Sequence, residues 1–457
     1  MTVQLLNWAA TLGIIVIFIY VVRLWYVSRS DRPPAADRGA ADEYLFAFMV
    51  PALNEARVIE QTLGRLLALP ARHAMVLVID DGSDDGTGEI VASRGDARVH
   101  LLRREHPDAQ AGKGAALNAG LARLRQLTAD WPADKVIVGI MDADGRLDPQ
   151  VPGRVAPYFT EPDIGAVQIA VRIINRGDSG LARMQDMEFV TYTDVFQTAR
   201  DTWGVAGLGG NGQFVRLAAL AGLMPAPWTD GLTEDLEQGL RLICAGWRTR
   251  YCRDVAVHQQ GLVSARRLIR QRSRWFQGHL QAWRQIPGVV RRAPLRTVPH
   301  LLHSLLVPVL LLANVALLAA LGLTVGALLF SAEGRAQLAS PGLLIDWYWL
   351  TFALALLLTL TVYLRREPEL GMRRALALGH AFAGYALLWM VAGYWALGRI
   401  IRGRGGWLKT ERVADNHAEQ DNARQPARQA ARRPEVPAGH VPGLHPEPEL
   451  LAWARQP

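Results

Sequence analysis

The chain has 457 residues, of which 50% are hydrophobic and 20% are charged, and it carries a formal net charge of +8. Its two cysteines, Cys244 and Cys252, and the lack of a CxxC pattern exclude a disulfide-stapled secreted scaffold and a cysteine-rich zinc domain. The mean hydropathy of +0.08, with apolar residues concentrated at the N-terminus and after residue 300, predicts a membrane protein with a cytosolic middle domain.

The first predicted element is an apolar run from Leu5 to Val22, which has about the length of one membrane span. It is followed by Arg23, Arg29 and Arg32. A cleaved signal peptide is the alternative, but no basic residue precedes the run and no small-residue cleavage site clearly follows it. We therefore predict a membrane anchor over residues 1–28, and the arginine-rich flank predicts that the next domain lies in the cytoplasm.

Residues 44–290 change to short apolar β-type runs that alternate with amphipathic helical stretches such as Val58–Leu69 and Ala115–Leu127. The predicted strands are Leu45–Val50, Met75–Ile79, Val99–Leu102, Val136–Met141 and Ala166–Val171. Strands that alternate with helices indicate βαβ units, so we predict an α/β fold with a mostly parallel sheet. Several of these strands end in polar residues, at the edge where open α/β sheets bind ligands.

Residues 299–400 are predicted to form a transmembrane region. Three apolar segments there are each long enough to cross a bilayer, namely Leu301–Phe330, Leu344–Leu364 and Ala375–Leu397. Three full spans would leave the basic residues around Arg402 outside the cell, against the positive-inside tendency, whereas one interfacial or re-entrant segment would remove this conflict. Residues 413–457, rich in Ala, Arg, Pro, Glu and Gln, are predicted to be a disordered tail.

Polar residues follow three of the predicted strands. Asn54 and Glu55 follow the first strand, where a helix N-cap with an acid in the first turn is the simplest interpretation. Asp80 and Asp81 end the second strand in an acid-rich turn that is either solvated or bound to donors or a cation. The segment Asp142-Ala143-Asp144 follows the fourth, and its two carboxylates suit one hard divalent ion with water and phosphate oxygens, or a solvated turn.

Lys113 is one of only three lysines and lies between two glycines at a predicted helix start. Such a position suits a phosphate or a sugar hydroxyl, and a solvated lysine in a turn is equally compatible. The segment lacks the spacing of a Walker A loop, which argues against a P-loop NTPase. Further along, Gly209-Gly210-Asn211-Gly212-Gln213 is either a plain turn or a loop that a ligand approaches closely.

Two motifs lie on predicted helices. Thr233-Glu234-Asp235 begins one helical stretch, where a cap followed by first-turn acids is the simplest interpretation. Gln271, Arg274 and Trp275 lie in an arginine-rich helical pattern from Ser264 to Trp283. That pattern also fits a basic amphipathic helix on the membrane surface, with Trp275, Phe276 and Trp283 at the interface.

Taken together, these motifs resemble the D, DxD, D, QxxRW signature of membrane-bound family 2 glycosyltransferases, the group of cellulose, hyaluronan, chitin and poly-N-acetylglucosamine synthases. They occur in the order Asp80/Asp81, Asp142-x-Asp144, Thr233-Glu234-Asp235 and Gln271-x-x-Arg274-Trp275. The resemblance covers residues 44–290 and implies a GT-A fold, with a mixed, mostly parallel sheet flanked by helices and with N- and C-terminal transmembrane helices. It also implies inverting transfer of a sugar from a nucleoside-diphosphate donor.

The resemblance assigns roles residue by residue. Asn54, Glu55, Asp80 and Asp81 would hold the donor nucleoside with Lys113 nearby, Asp142 and Asp144 would bind Mg²⁺ or Mn²⁺, Asp235 would be the general base, Gln271 and Arg274 would bind the diphosphate, and Trp275 and Glu234 would contact the acceptor. The chemistry agrees, because a sugar hydroxyl needs a base and a leaving diphosphate needs positive charge.

The product remains open at this point. A β-linked polysaccharide synthase at the cell membrane, multi-pass with a cytoplasmic catalytic domain in a bacterial inner membrane, is the main hypothesis. The donor would be a nucleotide sugar such as a UDP-sugar, the acceptor a glycan or lipid, and membrane lipid a further partner. The segment Gly406–Arg412 loosely resembles a gating loop. The alternative is a non-processive glycolipid synthase, such as a β-glucosyl-diacylglycerol synthase.

Other classes fit the sequence less well. A transporter would need ionisable residues within its spans, where the three C-terminal segments carry only His303, Asp346 and His380. No nucleic-acid partner is expected, because such proteins interleave basic and aromatic residues without acid-rich strand ends.

Overall fold

The computed structural model describes residues 2–29, 34, 37–308, 322, 326, 329–332 and 341–403. These belong to one folded unit, Met1–Glu411, and a second unit comprises Arg412–Pro457. The predicted tail over 413–457, the segment 406–412 and most of the apolar segment 301–330 lie outside the described residues.

The centre of the molecule is an eight-stranded mixed sheet. Its strands are β1 (Leu45–Ala52), β2 (His73–Asp80), β3 (Val99–Arg103), β4 (Val136–Ile140), β5 (Arg146–Leu147), β6 (Ile164–Ile173), β7 (Gln213–Arg216) and β8 (Arg248–Gln259). They lie in the order β3-β2-β1-β4-β7-β6-β8-β5. The strands β3, β2, β1 and β4 are parallel, β7 is antiparallel to both neighbours, β6 and β8 are parallel, and β5 is antiparallel to β8. The prediction of an α/β fold with a mixed, mostly parallel sheet is confirmed.

All five predicted strands are present within a few residues of their expected ends, whereas β5, β7 and β8 were not predicted. The core strand β1 is buried along almost its whole length, as expected for a parallel strand covered on both faces. Ala52 pairs with Asp80 at the carboxyl ends of β1 and β2, and β4 lies on the other side of β1. The residues that follow β1, β2 and β4 therefore meet at one edge of the sheet.

Helices cover both faces of the sheet. The α-helices of four or more residues in the described part of the chain are α1 (Thr2–Val27), α2 (Arg38–Asp42), α3 (Ile59–Leu67), α4 (Thr87–Ala92), α5 (Lys113–Leu127), α6 (Val151–Val155), α7 (Gly180–Tyr192), α8 (Thr198–Asp201), α9 (Leu217–Ala221), α10 (Glu234–Cys244), α11 (Ala265–Gln281), α12 (Ile286–Arg292), α13 (Val298–Pro308), α14 (Pro341–Leu358) and α15 (Met372–Ile401). Side chains alternate along β1, so Phe48 packs with Leu63 of α3 while Met49 packs with Leu117 of α5. This two-sided core fixes the strand ends that carry the polar motifs.

One helix among the described residues, α15, is long and apolar enough to cross a membrane. The predicted N-terminal anchor over residues 1–28 includes all of α1, and the segment Leu344–Leu364 lies on α14 and the π-helical segment Thr359–Tyr363 that follows it, ending at the start of the next short helix. Spans at these two places remain predictions. Near its C-terminal end α1 packs into the protein, because Val21 and Leu24 are buried beside Leu358.

Helix α11 packs against α15. Phe276 is 1% exposed, and a β-carbon on Gly393 would lie 2.8 Å from the Phe276 ring. The Trp283 indole N–H donates to the Leu305 carbonyl oxygen at 2.7 Å. Because α15 covers Phe276, this side chain does not face a membrane surface, whereas an interfacial position for Trp275 and Trp283 stays a prediction.

Candidate active site

The loops after β1 and β2 are bonded to each other. Asn54 has a φ of 55°, in the left-handed region. Its backbone N–H donates to Ser83 Oγ at 2.9 Å, and its side-chain oxygen accepts from the Asp84 N–H at 3.0 Å. The Glu55 N–H donates to Thr87 Oγ1 at 2.9 Å. The interpretation of Asn54 as a helix N-cap is wrong, because α3 begins five residues later and these bonds hold Asn54 in the loop.

The two aspartates that end β2 occupy different environments. Asp80 is fully buried, accepts from the Ser83 N–H at 2.9 Å and lies 3.7 Å from Arg103 Nε. Asp81 lies nearer the surface, and its carboxylate forms an ion pair with Arg104, a residue that the sequence motifs did not single out. Asp80 therefore stabilises the turn, and Asp81 is the member of the pair nearer the protein surface.

Lys113, the first residue of α5, joins the Asp142 segment to the glycine loop. Its ammonium nitrogen lies 2.8 Å from Asp142 Oδ1 and donates to the Gly210 carbonyl oxygen at 2.7 Å. Asn211 in the same loop accepts from the Asp142 N–H at 3.3 Å. The glycine loop, which the sequence left as either a turn or a ligand loop, thus holds both Lys113 and the start of the Asp142 segment.

The start of α5 also positions the chain before α10. A β-carbon on Gly114 would overlap the Thr229 carbonyl oxygen, so glycine is required for this close approach. Asn118 binds Trp228 twice, accepting from its N–H at 3.2 Å and donating to its carbonyl oxygen at 2.8 Å.

Glu234 and Asp235 are the first two residues of α10 and lie next to Lys113, with Glu234 buried and Asp235 half-buried. A β-carbon on Gly210 would lie 3.1 Å from Lys113 Nζ and 3.4 Å from Asp235 Oδ2. Burial raises the pKa of both carboxyl groups, and the charge of Asp235 raises that of Glu234 further. Burial lowers the pKa of Lys113, but Asp142, Glu234 and Asp235 outweigh it, so this pKa is raised and the ammonium stays protonated.

Helix α11 approaches the start of α10 closely. A β-carbon on Gly278 would lie 2.6 to 2.9 Å from three atoms of Thr233. Gln281 accepts from the Leu232 N–H at 3.0 Å, and Arg284 binds the buried Glu237 carboxylate through two nitrogens at 2.7 and 3.0 Å. These contacts fix the Gln271 motif relative to Asp235.

Burial lowers the pKa of Arg274. The nearby carboxylates of Asp142, Glu234 and Asp235 offset only part of this effect. Trp275 is half-buried, with its ring centroid 6.2 Å from that of Phe189 and 6.3 Å from that of Trp389. Four motifs that are distant in the chain, around residues 113, 142, 235 and 274, therefore meet in one site.

No group of three or more His, Cys, Asp or Glu side chains suited to a metal ion occurs within the described part of the chain. Asp142 and Asp144 supply carboxylate oxygens only, and both are half-buried rather than sealed in the core. Oxygen donors of this kind suit a hard divalent cation that completes its coordination with a diphosphate and water. The residues present therefore fit a cation that arrives with a ligand, but not a structural metal site.

The mixed sheet, with the polar motifs gathered at one edge, has a GT-A type fold. A solved mannosyltransferase, PcManGT from Pyrobaculum calidifontis in complex with GDP-Man and Mn²⁺, shares the fold with a TM-score of 0.57. The alignment covers 86% of this chain and 98% of that one at 20% identity.

The chain belongs to the glycosyltransferase like family 2, whose family model matches residues 43–278. It is 30% identical to a beta-monoglucosyldiacylglycerol synthase of Synechocystis sp. over 59% of this chain and 56% of the relative. It is 24% identical to glucomannan 4-beta-mannosyltransferase 7 of Arabidopsis thaliana over 62% of this chain and 51% of the relative. The chain thus spans about half the length of the curated relatives it matches.

Proposed function

We propose that the protein transfers a sugar, with inversion at the anomeric carbon, from a nucleoside-diphosphate donor to a hydroxyl of a membrane-associated acceptor. The observation that carries this proposal is the position of Lys113, which bonds Asp142 and Gly210 while Gly210 faces Asp235. Groups suited to a diphosphate and a group suited to a proton transfer thus border the same space.

Asp235 is the proposed general base. It removes the proton of the acceptor hydroxyl as the oxygen attacks the anomeric carbon, and the bond from that carbon to the diphosphate oxygen breaks on the opposite face. Proton removal of this kind contributes about 10²–10⁴-fold to the rate. Its half-buried position beside Glu234 and Lys113 supports this role, because desolvation raises its pKa and a base with a raised pKa is a stronger proton acceptor.

The leaving diphosphate gains negative charge as the bond breaks. Arg274 and Lys113 are the proposed cationic groups that stabilise it, with Gln271 as a hydrogen-bonding partner. Asp142 and Asp144 would hold Mg²⁺ or Mn²⁺, which supplies Lewis-acid stabilisation of the diphosphate when bound. The Mn²⁺ and GDP-Man in the solved mannosyltransferase of the same fold support a metal and a nucleotide sugar here.

The nucleoside would lie over the loops after β1 and β2. We assign its binding to the Asn54–Glu55 loop and to Asp81, with Asp80 acting beneath them through its bond to Ser83. Trp275 is proposed as the surface on which the acceptor lies, because an indole face packs against the apolar face of a pyranose and excludes water. Glu234 would contact the acceptor beside Asp235.

We propose a lipid acceptor in a membrane as the first candidate. It is supported by the similarity to beta-monoglucosyldiacylglycerol synthases and by the packing of the membrane-length helix α15 against α11. A β-linked polysaccharide is the second candidate, supported by the similarity to a glucomannan mannosyltransferase.

The test uses the full-length protein in detergent or vesicles with a panel of UDP- and GDP-sugars and diacylglycerol. A single labelled sugar in the lipid extract would support the first candidate, and an insoluble labelled polymer would support the second. No labelled product with any donor, from protein that binds a nucleotide, would contradict sugar transfer.

A further inference from the structure

Arg272 lies within the Gln271 to Trp275 motif at a position to which the motif gives no role. Its side chain is only 1% exposed. The guanidinium carbon lies 4.0 Å from the ring centroid of Trp275, three residues along the same helix face. It also lies 5.2 Å from the Trp389 ring and 5.7 Å from the Phe189 ring. Aromatic rings from α7, α11 and α15 therefore surround one buried cation.

Glu188 of α7 is the counter-ion of Arg272. Its Oε2 accepts from Arg272 Nη2 at 2.8 Å. Two side chains of α15 bind the same carboxylate: the Trp389 indole N–H donates to Oε1 at 3.0 Å, and the Tyr385 hydroxyl donates to Oε2. One carboxylate thus connects α11, which carries Trp275, to α15.

Arg272 also bonds the first residue of the motif, because its Nη1 donates to Gln271 Oε1 at 3.2 Å. An ion pair with a buried cation is a weak source of stability, since the desolvation of the charged groups offsets most of their attraction. The guanidinium instead fixes the orientation of the groups it contacts. It is planar, stacks on aromatic rings and donates in a fixed fork, none of which a lysine ammonium reproduces.

We propose that Arg272 is a positioning residue for acceptor binding, which fixes the plane of the Trp275 indole and, through Glu188, joins that surface to α15. The inference rests on the proposed function, because it takes Trp275 as the surface that the acceptor contacts. Removing Arg272 would let the indole rotate while the nucleotide-binding loops after β1 and β2 keep their bonds.

The kinetic test is Arg272→Lys in the full-length protein, which keeps the charge but loses the planar fork. We expect the acceptor KM to rise about tenfold, and a larger share of donor to be lost to hydrolysis, with the donor KM changed less than about twofold. Arg270→Lys, the same substitution two residues earlier on α11, is the matched control and should leave all three values unchanged. An unchanged acceptor KM, or an equal rise in both KM values, would overturn the proposal.

Tyr385→Phe is a milder variant that removes only one bond to Glu188. It should raise the acceptor KM in the same direction by a smaller factor, about two- to threefold, without loss of folded protein. If Tyr385→Phe is as active as the wild type while Arg272→Lys fails to fold, Arg272 acts only through stability and the proposal is wrong.

A spectroscopic measurement separates this inference from the proposed function. In protein labelled with 5-fluorotryptophan, the ¹⁹F resonance of Trp275 can be assigned by its loss in Trp275→Phe. Without any substrate, Arg272→Lys should shift and broaden this resonance, and Arg270→Lys should not. If the resonance does not move, the inference is overturned even if sugar transfer is confirmed. If the wild-type protein transfers no sugar, only the proposed function is contradicted.

Discussion

Lys113 Nζ lies 2.8 Å from Asp142 Oδ1, so the ammonium at the start of α5 forms an ion pair with the predicted metal-binding carboxylate. The same ammonium lies in the field of Glu234 and Asp235. Lys113 therefore offsets negative charge in both halves of the site, the half assigned to the diphosphate and the half assigned to the base.

Lys113→Met should lower kcat by about 10²-fold or more, because Asp142, Glu234 and Asp235 lose one of the two cations, Lys113 and Arg274, that offset their charge. The measurement is steady-state transfer with a saturating nucleotide sugar. Lys135→Met is the control, since Lys135 pairs with the exposed Glu43 at the opposite end of β4 and should retain full activity. Equal activity of the two variants would remove Lys113 from the mechanism.

Asp235→Asn should lower transfer by about 10²–10⁴-fold while nucleotide binding changes little, since the amide cannot accept the proton. Isothermal titration with the nucleotide measures the second quantity. Asp230→Asn serves as the control, because the Asp230 side chain is 86% exposed and pairs only with Arg284 among the described residues. A product yield unaffected by Asp235→Asn would leave the base role to another group.

On the acid side of the pH–rate profile, activity should be lost at a pH above the usual pKa of a carboxyl group. Burial raises the pKa of Glu234 and Asp235 from 4.5 and 3.8, so the basic form exists above the raised values and is lost as pH falls through them. Lys113 lowers both pKa values, so Lys113→Met should move this loss of activity to still higher pH. A loss of activity near pH 4 that Lys113→Met does not move would contradict the assignment of Asp235 as base.

Gly278→Ala should destabilise the protein by about 1–3 kcal/mol and reduce transfer, because its methyl group would meet the Thr233 backbone and side chain. Differential scanning calorimetry and an activity assay measure the two effects. At Gly288 of α12 a β-carbon would meet nothing within 4 Å. Gly288→Ala should therefore leave activity intact and be neutral or slightly stabilising. A Gly278→Ala variant as stable as Gly288→Ala would show that α11 and α10 tolerate wider spacing.

Chelation of divalent cations should stop transfer, and adding back Mn²⁺ or Mg²⁺ should restore it, if Asp142 and Asp144 hold the cation on the diphosphate. Asp144→Asn should weaken metal activation, seen as a higher metal concentration at half-maximal rate. Full turnover in excess chelator would exclude this role for the two carboxylates.

The core of the fold was predictable because its strands are buried on both faces. Near-continuous apolar runs such as Leu45–Val50 can be recognised as buried strands from the sequence alone. Strand β8 was missed because three arginines and one aspartate interrupt its twelve residues and leave no continuous apolar run, and β7 because it has only four residues. Both are held by pairing with β6, which no local pattern reveals.

The site was predictable as a set of motifs but not in its internal geometry. Asp80 and Asp81 are adjacent and alike in sequence, and only the turn that follows β2 separates the buried one from the one beside Arg104. Arg272 was hidden for a different reason. Its counter-ion Glu188 is 84 residues earlier in the chain, and the aromatic rings around it come from three helices.

The bonds from Glu188 to Tyr385 and Trp389 also bear on how the enzyme can be handled in the laboratory. A fragment trimmed to residues 44–290 keeps every motif of the family, yet it lacks the helix that buries Phe276 and completes the ring of aromatic side chains around Arg272. Such a truncated enzyme would expose an apolar face beside its own acceptor surface. Purification that retains α15 is therefore the route to active material.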